Sequence, residues 1–465
     1  MGGVAAALAK AGYVVQGSET DLYEPMKSYL ADSGVRVFPE FSGKHLDQFA
    51  PDIVVVGNAV SRGVNPELEH ALNLRLPIKS LPEIISEGLI ARNQSVVIAG
   101  THGKTTTTSM TAHLLHEGGW SPGFMIGGVP GNFDVSCRPV PAARHNTDQG
   151  LFVIEGDEYD SAYFDKRSKF LHYRPTVGVV NNIEFDHADI FSSLDDVLKS
   201  FRLFIRTVPE NGLLLVNGDD PNISRLLDDK VSPIATFGLG EQNDWRATSI
   251  ESGEFGVRFQ VQKKGQAFGT FSCALPGEHN ARNLLAAIAV SDFYGVPAQA
   301  LQAATESYVP PKRRMQELAT WQGRTVIDDF AHHPTAIRET LRAVAARYPG
   351  RRIFVSFEPR SNTTTRNLFQ RELEECFEGA SGVLLGALDR PWRYSDEERL
   401  DTGVLQAALQ RQGMFTFAIE NDLAGTADWG KYHLEKLSVW TAEGDVIVLL
   451  SNGNLGGLRA MLSSG

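Results

Sequence analysis

The sequence predicts an α/β protein with mostly parallel sheets arranged in three domains. Short runs of β-branched residues alternate with longer amphipathic stretches along the chain, a pattern typical of parallel sheets covered by helices. The chain has 465 residues, about three times the length of a usual domain. Hydrophobic residues make up 42% and charged residues 22%, which excludes a disordered, collagen-like or coiled-coil chain.

Buried strands are the clearest elements of the sequence, because short apolar, β-branched runs stand between polar turns. In a parallel sheet the loops that follow such strands gather at one edge, where α/β proteins bind their ligands. Site residues are therefore expected directly after strands. We predict strands at residues 53–56, 95–99, 151–154, 177–180, 213–216, 324–327, 352–355, 382–385 and 446–450.

Two stretches indicate where the domains meet. The polar run 91–94 precedes a predicted strand, and the proline pair at 310–311 would interrupt a helix and stiffen a junction. The predicted domains are residues 1–93, 94–311 and 312–465.

The start of the chain departs from a complete dinucleotide-type βαβ unit. Gly2 and Gly3 indicate a glycine turn that enters a helix, and residues 13–16 indicate the strand that follows. Such a unit needs a strand before its glycines, and none precedes Gly2 here. We therefore expect a first domain that is truncated at its start and lacks its first strand. A late start codon, a fragment and a fold that begins with a helix all stay open.

The charge, the cysteine content and the apolar runs also limit the partners and the cellular compartment that we expect for the protein. Lys plus Arg total 44 against 56 Asp plus Glu, a net charge of −12, which argues against nucleic-acid and membrane partners. The three cysteines, Cys137, Cys273 and Cys376, lie far apart without a CxxC pair. No apolar run reaches the length of a membrane span. We expect a soluble, cytoplasmic protein, and the sequence does not predict its oligomeric state.

The most informative motif is a phosphate-binding loop. A buried strand runs into a small-residue turn with Gly-Lys-Thr and then into a helix, where backbone amides and the helix N-terminus attract phosphate. The strict GxxxxGK[ST] pattern fails, because its first glycine would fall on Ile98. We expect Lys104 to contact the β- and γ-phosphates and Thr105 to bind Mg²⁺. The loop residues are Gly100, Thr101, His102, Gly103, Lys104, Thr105 and Thr106.

Acidic side chains follow two further predicted strands. Glu155, Asp157, Glu158 and Asp160 come after one strand, and the pair Asp186-His187 comes after the next. Carboxylate oxygens at such strand ends are ligands that Mg²⁺ prefers. The pattern predicts a magnesium site beside the phosphate loop. Solvated loop charges are the alternative.

Two later clusters extend this pattern. Asn280 and Asn283 share one helix face and could offer amides to a nucleotide base, although an N-cap would use the same residue type. An Arg313-Arg314 pair lies at the second domain boundary, where a guanidinium could stabilise a transferring phosphate. Residues 328–334 follow the first strand of the third domain. A surface arginine pair and a capping Asp are the alternative for this cluster.

Together these motifs resemble the Mur ligases, the ATP-dependent peptide synthetases of bacterial cell-wall precursors. The resemblance implies a Rossmann-like UDP-sugar-binding domain at 1–93, a central ATP-binding domain at 94–311 and a Rossmann-like acceptor-peptide domain at 312–465. It implies ATP and Mg²⁺ as cofactors and a reaction through an acyl phosphate.

The resemblance also implies roles for individual residues. Lys104, His187 and Arg314 are the implied catalytic residues, and Thr105, Glu155 and His187 the implied metal ligands. The implied ATP site comprises the loop residues Gly100–Thr106 together with Asn280, Asn283, Arg314, Asp329 and His333. The implied UDP-sugar site comprises Gly2, Gly3, Ser18, Asn58 and Ala59.

Three stretches, residues 127–133, 163–170 and 358–363, are similar to the members that attach the tripeptide L-alanyl-γ-D-glutamyl-meso-diaminopimelate to UDP-N-acetylmuramate in cell-wall peptide recycling. That activity is the predicted one, with UDP-N-acetylmuramate and the murein tripeptide as small-molecule partners. The implied acceptor-peptide residues are Arg167, Arg360, Ser361, Asn362, Ser451 and Asn452. Two alternatives stay open: L-alanine as the acceptor, and an ATP-driven binding or regulatory module without ligase chemistry.

Overall fold

The computed structural model describes residues 1–22, 26–141, 149–227, 231–419 and 428–463. Helices and strands alternate along the chain, which confirms the predicted α/β fold class. The helices are α1 Gly2–Lys10, α2 Met26–Asp32, α3 Gly43–Phe49, α4 Pro66–Asn73, α5 Leu81–Ile85, α6 Lys104–Glu117, α7 Leu194–Ile205, α8 Pro221–Ser224, α9 Glu278–Phe293, α10 Ala298–Glu306, α11 Pro334–Arg347, α12 Gln370–Glu375, α13 Thr402–Arg411, α14 Gly430–Trp440 and α15 Leu458–Ser463.

The strands are shorter and form several sheets. They are β1 Gln16–Ser18, β2 Arg36–Phe38, β3 Val54–Val56, β4 Ile78–Ser80, β5 Gln94–Ala99, β6 Gly123–Met125, β7 Cys137–Arg138, β8 Leu151–Gly156, β9 Asp160–Ala162, β10 Asp165–Ser168, β11 Val177–Val180, β12 Leu213–Asn217, β13 Ile234–Gly238, β14 Trp245–Gly253, β15 Gly256–Lys263, β16 Gln266–Cys273, β17 Gln316–Trp321, β18 Arg324–Asp329, β19 Ile353–Phe357, β20 Gly382–Leu385, β21 Phe415–Ala418 and β22 Val446–Leu450.

A ten-stranded sheet forms the centre of the molecule, in the order β16-β15-β14-β13-β12-β11-β5-β8-β6-β7. Its middle strands are parallel, and β5 lies between β8 and β11. Successive residues of β5 point to opposite faces: Val96 and Ile98 pack in one core cluster, Val97 and Ala99 in another. Burial on both faces explains the continuous apolar run that predicts this strand.

The C-terminal part of the chain forms a six-stranded sheet in the order β17-β18-β22-β19-β20-β21. All neighbouring strands are parallel except the pair β17 and β18. Strand β22 lies between β18 and β19, so the loops after these three strands gather at one edge of the sheet.

The N-terminal part differs from its prediction. Its described strands form two separate two-stranded parallel sheets, β1-β2 and β3-β4. Gly2 and Gly3 lie inside α1 rather than in a turn before it, because the helix already begins at Gly2. The strand predicted at 13–16 begins three residues too early. Helix α1 ends in a turn in which the Tyr13 N–H donates to Leu8 O, so β1 begins only at Gln16.

Among the residues that the structure describes, no helix is both long enough and apolar enough to cross a bilayer.

Candidate active site

The loop between β5 and α6 has the shape of an anion site. Gly100 and Gly103 have φ angles of +141° and +80°, which favour glycine. A Cβ on Gly103 would also stand 2.5 Å from Asn283 Oδ1, so no larger residue fits there. Gly103 is the N-cap of α6, and the free N–H groups of the first turn attract a negatively charged group.

Lys104 is held over this loop by carboxylates. Its Nζ donates to Gly100 O at 2.7 Å and to Glu158 Oε2 at 2.8 Å, and lies 3.7 Å from Asp157 Oδ1. Burial alone would lower the pKa of Lys104, but the charges of Glu158 and Asp157 outweigh burial and raise this pKa. The side chain is therefore a fixed cation beside the loop amides.

Thr105 and Glu155, two of the predicted metal ligands, are in contact. The Thr105 hydroxyl donates to Glu155 Oε2 at 3.1 Å, and Gly127 N donates to the other carboxylate oxygen. Burial raises the pKa of Glu155, as expected for a carboxylate with too little nearby positive charge. A hydroxyl and a half-buried carboxylate side by side are hard oxygen donors that fit Mg²⁺.

Arg314 reaches the same place from the edge of the C-terminal sheet. Its Nη2 donates to Thr105 Oγ1 at 3.0 Å across 209 residues of sequence. The neighbouring Arg313 points elsewhere and donates to the carbonyls of Ser451 and Gly453. The predicted arginine is thus beside the phosphate loop, and the structure separates the roles of the two arginines.

The third predicted ligand, His187, is paired with Glu158, one of the acids after β8 to which the sequence analysis assigns no individual role. His187 Nε2 lies 2.9 Å from Glu158 Oε1, so Glu158 joins Lys104 and His187. Burial would lower the pKa of His187, but Glu158 and Asp186 outweigh burial and raise it. The run of acids after β8 was the available signal for Glu158, although spacing alone does not tell which acid turns inward.

A second group of donors links the loop to α11. His102 Nε2 lies 3.3 Å and His333 Nδ1 lies 3.6 Å from Glu184 Oε2, and the Thr335 hydroxyl donates to that oxygen at 2.7 Å. His102, Glu184 and His333 could together hold a metal ion, since their donor atoms lie within 4.8 Å of one another. Burial lowers the pKa of His333 to about 3. The predicted residues His102 and His333 are thereby brought together.

The other predicted nucleotide residues are buried, except for the half-buried Thr101, and most of them hydrogen-bond to protein groups. Asn283 Oδ1 accepts from Thr107 Oγ1 at 3.2 Å, and Asn283 Nδ2 donates to Asn280 Oδ1 at 3.3 Å. Thr101 Oγ1 donates to Glu184 O, and Thr106 is buried in the first turn of α6. Asp329 accepts from the backbone N–H groups of Met315 and Ala331, so it shapes the turn after β18.

The predicted UDP-sugar residues lie at ends of N-terminal elements. Gly2 and Gly3 are in the first turn of α1, and Ser18 ends β1, where its hydroxyl donates to Glu67 Oε1 at 3.0 Å. Asn58 and Ala59 are exposed just after β3. Ser18 and Asn58 lie at or just after the carboxyl ends of parallel strands, which are positions that suit a ligand, whereas Gly2 and Gly3 lie in a helix.

The predicted acceptor residues contact different partners in the structure. Ser451 and Arg360 converge on the buried Glu358: the Ser451 hydroxyl donates to Glu358 Oε2, and Arg360 Nη1 lies 3.7 Å from Oε1. Asn362 donates to Asp189 at 2.9 Å. Three further residues complete the description: Ser361 bonds Thr364, Asn452 carries a buried oxygen without a partner, and Arg167 pairs with Asp165 on its own hairpin.

This geometry defines an α/β protein with a phosphate-binding loop that an arginine approaches from a second sheet. Comparison with known families gives the same class in more detail. The description "Mur ligase family, catalytic domain" matches residues 1–93, "Mur ligase middle domain" matches 98–291, and "Mur ligase, glutamate ligase domain" matches 313–453. The chain belongs to the Mur ligase family, and the resemblance noted from its motifs is confirmed.

Individual relatives are similar over almost the whole chain. It is 36% identical to the Escherichia coli K12 UDP-N-acetylmuramate–L-alanyl-γ-D-glutamyl-meso-2,6-diaminoheptandioate ligase, covering 100% of this chain and 95% of that protein. It is 33% identical to the UDP-N-acetylmuramate–L-alanine ligase of Geotalea daltonii, covering 98% and 93% respectively. A crystal structure of murein peptide ligase from Psychrobacter arcticus has a TM-score of 0.72 at 31% identity, covering 100% of this chain and 96% of that chain.

Proposed function

We propose that the protein is an ATP-dependent ligase that joins L-alanyl-γ-D-glutamyl-meso-diaminopimelate to the carboxylate of UDP-N-acetylmuramate. The observation that carries the proposal is the full-length similarity to the Escherichia coli ligase named for these two substrates. The stretch 163–170 and the run 358–363, which are similar to the tripeptide-attaching members, also favour the tripeptide over L-alanine.

The reaction would proceed in two balanced steps. A muramyl carboxylate oxygen attacks the γ-phosphorus of ATP, and the bond to the β-phosphate oxygen breaks, so that ADP leaves and an acyl phosphate forms. The α-amine of the tripeptide then attacks the acyl carbon, loses a proton and expels phosphate, which leaves an amide. The protein contributes positioning and charge neutralisation, mainly through Lys104 and Arg314.

Magnesium fits the donors beside the phosphate loop. Thr105, Glu155 and His187 would hold the ion, and the ion would neutralise negative charge on the phosphates. The raised pKa of Glu155 supports this assignment, since a half-buried carboxylate with little positive charge beside it gains from a nearby cation. His187 would bind as neutral imidazole and would therefore give up its proton.

Each of the three parts of the chain would bind a different substrate. Residues 1–93 would bind the UDP-sugar through Gly2, Gly3, Ser18, Asn58 and Ala59. Residues 94–311 would bind ATP through the loop Gly100–Thr106, Asn280 and Asn283, with Asp329 and His333 added from the following part. Residues 312–465 would bind the acceptor through Arg360, Ser361, Asn362, Ser451 and Asn452, with Arg167 added from the hairpin β9–β10. The three buried, unpaired cysteines support a cytoplasmic location.

The decisive experiment offers the purified protein UDP-N-acetylmuramate, ATP and Mg²⁺ with either the tripeptide or L-alanine. We expect phosphate release and a UDP-muramyl-tripeptide product with the tripeptide, and at least tenfold lower kcat/KM with L-alanine. A preference for L-alanine would make the protein a UDP-N-acetylmuramate–L-alanine ligase. Phosphate release without any amine acceptor would indicate an ATP-driven module without ligase chemistry.

A further inference from the structure

The segment that carries His187 is held from the neighbouring sheet. We call residues 185–189 the His187 loop and residues 361–366, which follow β19, the clamp segment. The clamp donates to the loop at several points: Asn362 Nδ2 to Asp189 Oδ2 at 2.9 Å, Thr363 Oγ1 to Asp186 Oδ1 at 2.7 Å and Arg366 Nη1 to Ala188 O at 3.1 Å. These contacts span more than 170 residues of sequence, so they form only when the two sheets are docked.

Thr363 occupies the centre of this clamp. Its side chain is buried, and its hydroxyl has two uses at once: it donates to Asp186 and accepts from Ala188 N at 3.4 Å. The same Asp186 oxygen accepts the backbone N–H of His187 at 2.7 Å. The Thr363 hydroxyl therefore holds the Asp186 carboxylate in place, and that carboxylate holds the backbone of His187, the predicted metal ligand.

The backbone of His187 needs such support. Its φ angle of +56° lies in the left-handed region, which a residue with a Cβ adopts at a cost. The side chain leaves that backbone toward Glu158 and packs against Tyr159, with ring centroids 4.0 Å apart and the rings tilted by 44°. If the carboxylate of Asp186 turned away, the strained conformation would relax and the imidazole would move with it.

We propose that Thr363 is a positioning residue that sets His187 for the divalent cation and makes cation binding depend on docking of the acceptor-binding part of the chain. The inference rests on the proposed function, because Arg360 and Ser361, two of its acceptor residues, directly precede Asn362 and Thr363. An acceptor held by Arg360 and Ser361 would steady the clamp segment, and the clamp segment would hold the His187 loop. Cation affinity and acceptor occupancy would then rise together.

The test compares Thr363→Val with Thr363→Ser and with Thr305→Val. Valine keeps the shape of threonine and replaces only the hydroxyl by a methyl group, and serine restores the hydroxyl. Thr305 is an equally buried threonine whose hydroxyl donates to Gln302 O within α10, outside the clamp segment and the predicted site, so it is a matched control. The readout is Mn²⁺ binding to each full-length protein with ADP present, measured by electron paramagnetic resonance, with and without the tripeptide.

We expect Thr363→Val to weaken Mn²⁺ binding about tenfold and to abolish its strengthening by the tripeptide. Thr363→Ser and Thr305→Val should stay within about twofold of the wild type, and UDP-N-acetylmuramate binding should be unchanged in all three. If Thr363→Val does not fold, Thr363→Ala is read in the same way. Wild-type Mn²⁺ affinity in the folded variant would overturn the inference.

The two hypotheses fail separately. Failure of the wild type to join the tripeptide to UDP-N-acetylmuramate overturns the proposed function, and with it the acceptor part of this inference. A wild type that ligates the tripeptide, together with a Thr363→Val variant that binds Mn²⁺ normally, leaves the function standing and removes the role of Thr363.

Discussion

The ammonium group of Lys104 lies 2.8 Å from the carboxylate of Glu158, whose other oxygen lies 2.9 Å from His187. One buried acid therefore joins the phosphate loop to the predicted metal ligand. Burial would raise the pKa of Glu158, but Lys104 and His187 outweigh burial and lower it, so the acid is held as a carboxylate. Turnover should therefore depend on Lys104, Glu158 and His187 together.

Lys104→Ala removes the cation that faces the loop amides. We expect turnover to fall by at least about a thousandfold, because charge on the transferring phosphoryl group is then uncompensated. UDP-N-acetylmuramate binding, measured by calorimetry, should stay near the wild-type value, since the predicted UDP site lies in residues 1–93. Lys199→Ala is the control: Lys199 is 70% exposed and pairs with Asp196 on the surface, and its loss should leave phosphate release unchanged. Normal turnover by Lys104→Ala would remove the phosphate-loop assignment.

Glu158→Gln keeps the shape of the side chain and removes its charge. Lys104 then keeps the carboxylate of Asp157 at 3.7 Å, and His187 loses the partner at 2.9 Å and keeps Asp186, whose Oδ1 lies 3.9 Å from Nδ1. We expect kcat to fall about tenfold to a hundredfold and the free energy of unfolding to fall by about 3 kcal/mol, since a buried charge loses its counterpart. Steady-state kinetics and denaturant unfolding measure the two effects. Glu210→Gln, at an exposed position, should change neither, and an active, fully stable Glu158→Gln protein would contradict the central role of this acid.

Arg360→Ala tests the acceptor site. The guanidinium is partly exposed beside Glu358 and Gly453, and the proposed function assigns it to a carboxylate of the tripeptide. Loss of one charge-assisted hydrogen bond is worth about 1.5–3 kcal/mol, so KM for the tripeptide should rise about tenfold to a hundredfold. KM for ATP should not change, and Arg371→Ala, at a side chain 88% exposed, should behave as the wild type. An equal rise in both KM values would show that Arg360 does not recognise the acceptor.

Because the imidazole of His433 is buried, we expect the folded protein to lose stability in acid. Its imidazole is fully buried, with Nδ1 2.8 Å from Ser356 Oγ, and burial lowers its pKa from 6.5 to about 3. As the pH falls below 6.5, the unfolded chain binds a proton that the folded protein refuses, so stability is complete above pH 6.5 and declines toward pH 3. The slope is at most about 1.4 kcal/mol per pH unit. Thermal unfolding at pH 7.5 and pH 5 should show a smaller decrease in midpoint for His433→Gln than for the wild type. Equal decreases would mean that His433 does not titrate in this way.

The sequence predicts the central parallel strands such as β5, β8 and β11, because burial on both faces imposes continuous apolar runs such as Val96–Ala99. It misses the parallel strands β13 and β21, which are less buried. It does not predict β14, β15 and β16, whose one-sided burial leaves alternating patterns that resemble polar loops. In β15, for example, Val257, Phe259 and Val261 are buried while residues between them are exposed. The strand expected at 13–16 was misplaced because the turn that ends α1 consumes its first residues.

The candidate site was partly predictable for a similar reason. Local order links the loop at Gly103 to α6 and places Glu155 at a strand end, so these residues follow from spacing. The partners of His187 and Asn362 do not follow from spacing. Glu158 and Asp189 come into contact with them only through the tertiary packing of loops and sheets. Residues 142–148 and 420–427 lie outside the described part of the chain, and none of the predicted site residues falls within them.

The most direct measurement is a crystal structure of the protein with a non-hydrolysable ATP analogue and Mg²⁺. We predict that the β- and γ-phosphates lie against the amides that follow Gly103, with Lys104 in contact and the ion on Thr105 and Glu155. A bound analogue whose phosphates lie elsewhere, or an occupied nucleotide site with no ion near Glu155, would contradict the account.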